Sequence, residues 1–365
     1  MTPSPQQRPP RDGGAPILVT GGAGFIGSNI ADRLARDGHD VLVYDTLSRP
    51  GVERNLRWLQ DRHGARITAI RADVRDADEI GRAVAEVQAV FHMAAQVAVT
   101  TSMDDPRDDL EINILGTFNL LEALRRKPGT PLVFASTNKV YGDLGDLAFA
   151  RAGDAYVPID EQVRSHGIGE RRPLDFHTPY GVSKGAADQY VLDYARSYGV
   201  PAAVLRMSCI YGQRQMGTED QGWVAHFLIR ALEGQPITLY GDGYQVRDIL
   251  DVSNAVEAYV HAWQRMDRVA GRAFNLGGGP GNAVSLRVLL AHIGRLIGRE
   301  VEIHASDWRA GDQRYFVADT RAADAALGLS PKVAWRDGVA ELARWLATER
   351  GFNVTIPEAL PVAAE

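Results

Sequence analysis

Cysteine is nearly absent, occurring once at Cys209. A single cysteine cannot close an internal disulfide, which suits a reducing cytoplasm. It sits in the apolar run AAVLRMSCIYG and reads as core filler rather than as a nucleophile. Long hydrophobic runs are also missing, and none approaches the length of a membrane span. The N-terminal stretch MTPSPQQRPPRDGGAP has no apolar segment of the kind a secretory leader needs. It is rich in Pro and Gln and is expected to be a disordered lead-in over 1–15. The end, TIPEALPVAAE, is expected to be a loose tail within 351–365. Positive charge is not in excess: 40 Lys and Arg face 46 Asp and Glu, a net charge of -6. Neither nucleic acid nor a membrane surface is therefore an expected partner. No metal is expected either.

Hydrophobic residues make up 45% of the 365, enough for a large domain and a smaller lobe. From residue 17 onward, short apolar strands alternate with helical periodicity. Strands are expected at 17–20, 40–45, 66–73, 89–94, 131–137 and 202–210. Helices fall between them, including 106–127 and 178–199. Continuous apolar strands separated by helices imply a parallel sheet covered on both faces, the doubly wound α/β architecture of Rossmann type. The first domain is expected over 16–212 and takes in roughly 245–278. A smaller C-terminal α/β substrate lobe is expected over 213–244 and 279–350. The stretch 143–177 reads as one long irregular loop.

Thr20-Gly21-Gly22-Ala23-Gly24-Phe25-Ile26-Gly27 follows the first strand and opens the first helix. Glycines at such a turn allow a backbone to approach a pyrophosphate lying on a helix N-terminus. Asp45, at the end of the second strand, supplies the acid expected about twenty residues on. A carboxylate there accepts from a ribose 2′-hydroxyl and repels a 2′-phosphate, which selects NAD. Gly21, Gly24, Phe25, Ile26, Gly27 and Asp45 are the expected cofactor contacts.

Two further stretches carry chemistry. The strand 131–137 runs out into ASTNKVYG, and HTPYGVSKGAADQY follows at 177–190. Tyr180 and Lys184 are four apart on one helix face. An ammonium beside a phenol favours the phenolate, so Tyr180 is expected to act as a base on a sugar hydroxyl. Thr137 is placed to share a hydrogen bond with that hydroxyl.

These motifs, with Asp73-Val74, HMAAQVAV, Asn113 and Thr137, resemble the extended short-chain dehydrogenase/reductase (NAD-dependent epimerase/dehydratase) family over about 16–348. Within it, QVAVTTS, ASTNKVYGDL, YGQRQ, DQGWV, QVRDILDV and DQRYFVADT are similar to the CDP-tyvelose (CDP-paratose) 2-epimerase group. The resemblance implies that Asp73 and Val74 flank an adenine, that Ala94 and Ala95 line the cofactor path and that Asn113 supports the site. Tyr180 would be the base and Lys184 would hold the nicotinamide ribose. Gln96, Thr137, Asn138, Gln221 and Trp223 would meet the substrate, and Arg247 and Arg314 its diphosphate. A homodimer through the helices near 106–127 and 178–199 is expected, since Leu110, Ile114, Phe118 and Leu121 spread around their circumference. Relatives acting on UDP-glucose at C4 often carry lysine in place of Gln96. The family's 4,6-dehydratases carry Asp and Glu after the threonine, where this chain has Asn138 and Lys139. The expected function is therefore NAD-dependent epimerisation of a nucleotide-diphosphate sugar, at C2, with C4 epimerisation of another NDP-hexose or NDP-heptose as the alternative.

Overall fold

In the computed structural model, residues 14–309, 311–354 and 356–357 are described. Most of the lead-in and the last eight residues lie outside them. Seven strands form the main sheet: β1 (Ile17–Thr20), β2 (Val41–Asp45), β3 (Ile67–Arg71), β4 (Ala89–His92), β5 (Leu132–Thr137), β6 (Ala202–Met207) and β7 (Arg272–Leu276). They lie in the order 3-2-1-4-5-6-7, and every pairing is parallel. All four residues of β1 are buried. Strand pleating sends Ile17 and Val19 to one face of the sheet and Leu18 to the other. Phe25–Arg36, Val52–His63 and Val252–Gln264 cover the first face; Ala77–Ala85, Gly116–Arg126 and Thr178–Tyr198 cover the second. The strand order reverses between β1 and β4, so a crevice opens at their C-terminal ends, where this architecture binds ligands.

The run 202–210 is not one strand. At Ser208 the chain leaves the sheet: its hydroxyl turns to the Asp248 carboxylate and carbonyl, and its N–H donates to Leu276 O at 2.8 Å. Cys209–Tyr211 then pairs with Ile249–Asp251. The strand Val246–Asp251 belongs to this second sheet, with Ala283–Ser285 antiparallel and Tyr315–Phe316 parallel to it. Ile237–Tyr240 pairs with Ile303–Ser306. Helices Trp223–Glu233, Leu286–Ile297 and Trp335–Arg350 share a second core with this region.

Two expectations are corrected. The stretch 143–177 contains a hairpin, Phe149–Ala152 with Ala155–Pro158, and a helix, Glu161–His166, started by the Asp160 side chain accepting from Gln162 N and Val163 N. Short polar residues at Gly153-Asp154 make the hairpin turn, which apolar periodicity does not reveal. The chain past 350 is not loose throughout either, because Phe352, Val354 and Ile356 pack against the second core.

Candidate active site

A cavity of about 980 Å³ occupies the crevice and continues under the second core. At its cofactor end, Gly21 has φ 64°, and a methyl group there would sit 2.7 Å from Ala94 N. Only glycine meets both demands. The helix Phe25–Arg36 starts at Gly24 with no side-chain cap, and Gly24, Phe25, Ile26 and Gly27 line the cavity. Its first N–H groups thus remain for an anion. Asp45 accepts from Ala23 N (3.0 Å) and Leu47 N (2.9 Å). Burial raises its pKa above the ordinary carboxylate value despite those bonds. Asp73, Val74, Ala94 and Ala95 continue the wall. Burial opposes the charge of Asp73, but the bonds from Arg75 outweigh it and hold the carboxyl below its usual range. An uncapped helix start, a tight glycine turn and an acid at the end of β2 fit a dinucleotide.

At the other end, β5 delivers Thr137, the turn after it delivers Asn138, and the helix Thr178–Tyr198 delivers Tyr180 and Lys184, all on the cavity wall. Pro179 occupies the first turn of that helix, and the Ser102 hydroxyl accepts from Tyr180 N at 3.2 Å. Burial pushes the Tyr180 phenol up to about 12; a hydrogen bond with Thr137 pulls the other way, and Asp109 adds to the rise. Burial also brings Lys184 down to about 8, opposed by Asp188 and Asp109. Its ammonium lies 4.4 Å from the Phe134 ring centroid. The expectation that Lys184 favours the phenolate is thus corrected for the protein alone: desolvation dominates both groups.

A polar layer stands behind these groups. Asn113 lies in a single π-helical turn, Glu111–Leu115, between Pro106–Leu110 and Gly116–Arg126. Its amide N donates to Ser183 Oγ (3.0 Å) and Gln96 O (3.1 Å), and its Oδ1 accepts from Gln96 N (3.0 Å). Asn113 therefore pins the Thr178–Tyr198 helix to the loop after β4 without itself lining the cavity. Gln96 reaches the cavity, but its side chain is folded onto Ala98. Below, Arg206 forms a two-pronged pair with Asp188, 2.9 Å on each arm, and Asp188 accepts from Ser136 Oγ at 2.7 Å.

On the lobe side, Gln221, Trp223 and Arg247 line the cavity. Arg247 donates to Asp312 at 2.6 Å. Arg314 does not join them: it is exposed, 5.6 Å from the Tyr156 ring centroid. Arg309 lies on the wall instead, 3.8 Å from the Tyr240 ring centroid and bonded to Glu219 O at 3.1 Å. Sequence reasoning also missed Arg49, which reaches across to Gln221, and the site position of Lys139, which donates to Gly311 O at 3.0 Å. Arg49 and Arg309 come from irregular segments where no periodicity marks a facing direction.

The NAD dependent epimerase/dehydratase family matches residues 17–277. CDP-paratose 2-epimerase of Salmonella typhi is 40% identical over 340 residues, covering 91% of this chain and 99% of the relative. The UDP-glucose 4-epimerase of Thermotoga maritima, solved with UDP-glucose, superposes with a TM-score of 0.78 at 30% identity, covering 92% of this chain and 99% of that one. That of Thermus thermophilus, solved with NAD, gives 0.76 at 33% identity, with 90% and 98% covered. By its motifs, its seven-stranded parallel sheet and these likenesses, the chain belongs to the NAD dependent epimerase/dehydratase family.

Proposed function

We propose that the protein is an NAD-dependent epimerase of a nucleotide-diphosphate sugar, inverting C2 of a CDP-paratose-type substrate. The observation that carries this is the reacting end of the cavity: Thr137, Tyr180 and Lys184 stand together, while Asn138 and Lys139 occupy the two places after Thr137. An amide neither gives nor takes a proton at neutral pH, and the Lys139 ammonium, which cannot act as a base while protonated, donates to Gly311 O, so the carboxylic acid–base pair of an elimination is missing there. Oxidation and re-reduction at one carbon need neither. The 40% likeness to a CDP-paratose 2-epimerase favours C2, and the structural likeness to UDP-glucose 4-epimerases keeps C4 as the second reading.

Gly21, Gly24, Phe25, Ile26 and Gly27 would hold the pyrophosphate of NAD and Asp45 its adenosine ribose. Asp73, Val74, Ala94 and Ala95 would complete that cleft, and Lys184 would hold the second ribose. Bound NAD supplies hydride acceptance and return. The chain's own groups do the rest. Tyr180 Oη takes the proton of the sugar hydroxyl as the carbon becomes a carbonyl, and Thr137 Oγ1 orients that oxygen. The sugar then presents its other face, and Tyr180 returns the proton. Gln96, Asn138, Gln221 and Trp223 bound the substrate space. Arg247, with Arg309 in place of the expected Arg314, would meet the diphosphate from the lobe formed by 213–244 and 279–350.

No helix among the described residues is long and apolar enough to cross a membrane. We place the enzyme in the cytoplasm as a homodimer. Leu110, Phe118, Val182 and Tyr190 are exposed on neighbouring helices, and the Phe118 and Tyr190 rings meet edge to face at 6.1 Å. Such a face is covered when two copies pair. Leu121, also expected in that surface, is fully buried in the protomer core instead.

The test is an NMR assay of purified protein against CDP-, UDP-, ADP- and GDP-sugars in D₂O. The expected product is inverted at C2 and carries no deuterium on carbon. Deuterium incorporated on carbon, or a 4-keto-6-deoxy sugar, would sink the epimerase reading; inversion at C4 would select the second one.

A further inference from the structure

A second basin, of about 700 Å³, lies on the outer surface. It is formed by the Val52–His63 helix, the turn at Arg214 and the Trp335–Arg350 helix. None of its lining residues lines the cavity that holds Tyr180. Arg54, Arg57, Arg62 and Arg214 line it, with Asp61 and Glu349 beside them and Asp32 behind Arg62 to offset them. That gathers positive charge on a chain whose net charge is -6.

Two of the four guanidinium groups face carboxylates and two do not. Arg62 turns to Asp32 at 3.0 Å. The side chains of Arg54 and Arg57, three apart on one helix, make no hydrogen bond or ion pair among the described residues. Arg214 sits deepest, with 14% of its side chain exposed and its carboxylate partner, Glu349, only at 3.9 Å. Its guanidinium lies 4.2 Å from the Trp58 ring centroid and 5.3 Å from that of Trp345. Its backbone has φ 71°, uncommon for a residue other than glycine. Burial holds Arg214 below its ordinary pKa against the pull of Glu349 and Asp32, and Arg62 adds a smaller repulsion. A clamp fastening the two helices would need Arg214 and its tryptophans. It would not need Arg54 and Arg57, both exposed, beside them.

We infer that this basin is a second anion site, taking the phosphate oxygens of a di- or triphosphate chain. Guanidinium forks match phosphate oxygens in pairs, and a stacked, sparsely hydrated one does so at low desolvation cost. The site is also tied to the cofactor turn. Buried Asn55 donates to Ala23 O at 3.1 Å and to Arg214 O at 3.2 Å, so one amide braces the backbone of both places.

Calorimetric titration of NAD-loaded protein with inorganic tripolyphosphate, and separately with ATP, tests the inference. The Arg54→Ser/Arg57→Ser double variant serves as the comparison. One equivalent should bind to the wild type, more weakly as salt is added. The double variant should bind at least ten-fold more weakly while keeping its bound NAD and its melting temperature. Equal affinity for the two probes would mean that the phosphate chain alone is read; tighter ATP would mean that the nucleoside adds contacts. Either keeps the site. No binding of either probe at millimolar concentration, or unchanged affinity in the double variant, would overturn it. The outcome does not depend on which sugar the enzyme inverts.

Discussion

Tyr180 and Lys184 are both driven toward their neutral forms, the phenol up to about 12 and the ammonium down to about 8, chiefly by burial. A phenol that holds its proton this firmly needs help from cationic charge at the moment of reaction, and the low-dielectric surroundings make any such charge count for more. Tyr180→Phe should keep the fold and bound NAD but lose the proton acceptor, lowering the rate by about 10² to 10⁴. Near wild-type turnover would remove Tyr180 from that role. The two residues were legible in the sequence because their four-residue helical spacing follows the glycine turn and the ASTNKVYG strand end in that order. The direction of their pKa shifts was not, since it depends on how much chain closes over them. Arg314 shows the same limit: the charge was visible and its outward direction was not, because it precedes the two-residue strand Tyr315–Phe316 rather than lying within a periodic element.

Whole elements were easier to read than their breaks. The main-sheet strands are short apolar runs flanked by helices, so their parallel pairing was expected from composition and spacing. The break at Ser208 was hidden inside a mostly apolar run, and the bonds of its hydroxyl to Asp248 and of its N–H to Leu276 O mark it. The helices Gly116–Arg126 and Thr178–Tyr198 present Phe118 and Tyr190 to solvent, side by side. Phe118→Asp would put a charge into the face proposed to pair, where desolvation is costly. Light scattering at micromolar concentration should give a dimer mass for the wild type and a monomer mass for Phe118→Asp. A monomeric wild type would dispose of the assembly.

Across the whole molecule, acid stability depends on histidines buried as neutral rings. Burial brings His292 from 6.5 down to about 4, with Arg295 adding to the fall, and it brings His92 down to about 3. Between those values and 6.5 the unfolded chain binds protons that the folded chain refuses, so stability falls as pH falls through that window. His292→Leu removes one contribution. From pH 7.5 to pH 5, the melting temperature of the wild type should drop further than that of His292→Leu; parallel curves would contradict the assignment.

The same chain serves both cores by leaving the main sheet after Met207, again after Leu276 and again after Leu327, whose helix still packs beneath the sheet. Substrate preference in this enzyme is therefore not a detachable cassette. Grafting the lobe of a relative onto this sheet would need matched junctions at each of those departures. A chimaera spliced at a single point would mix the two cores and leave Ser208 or Asp248 facing a stranger.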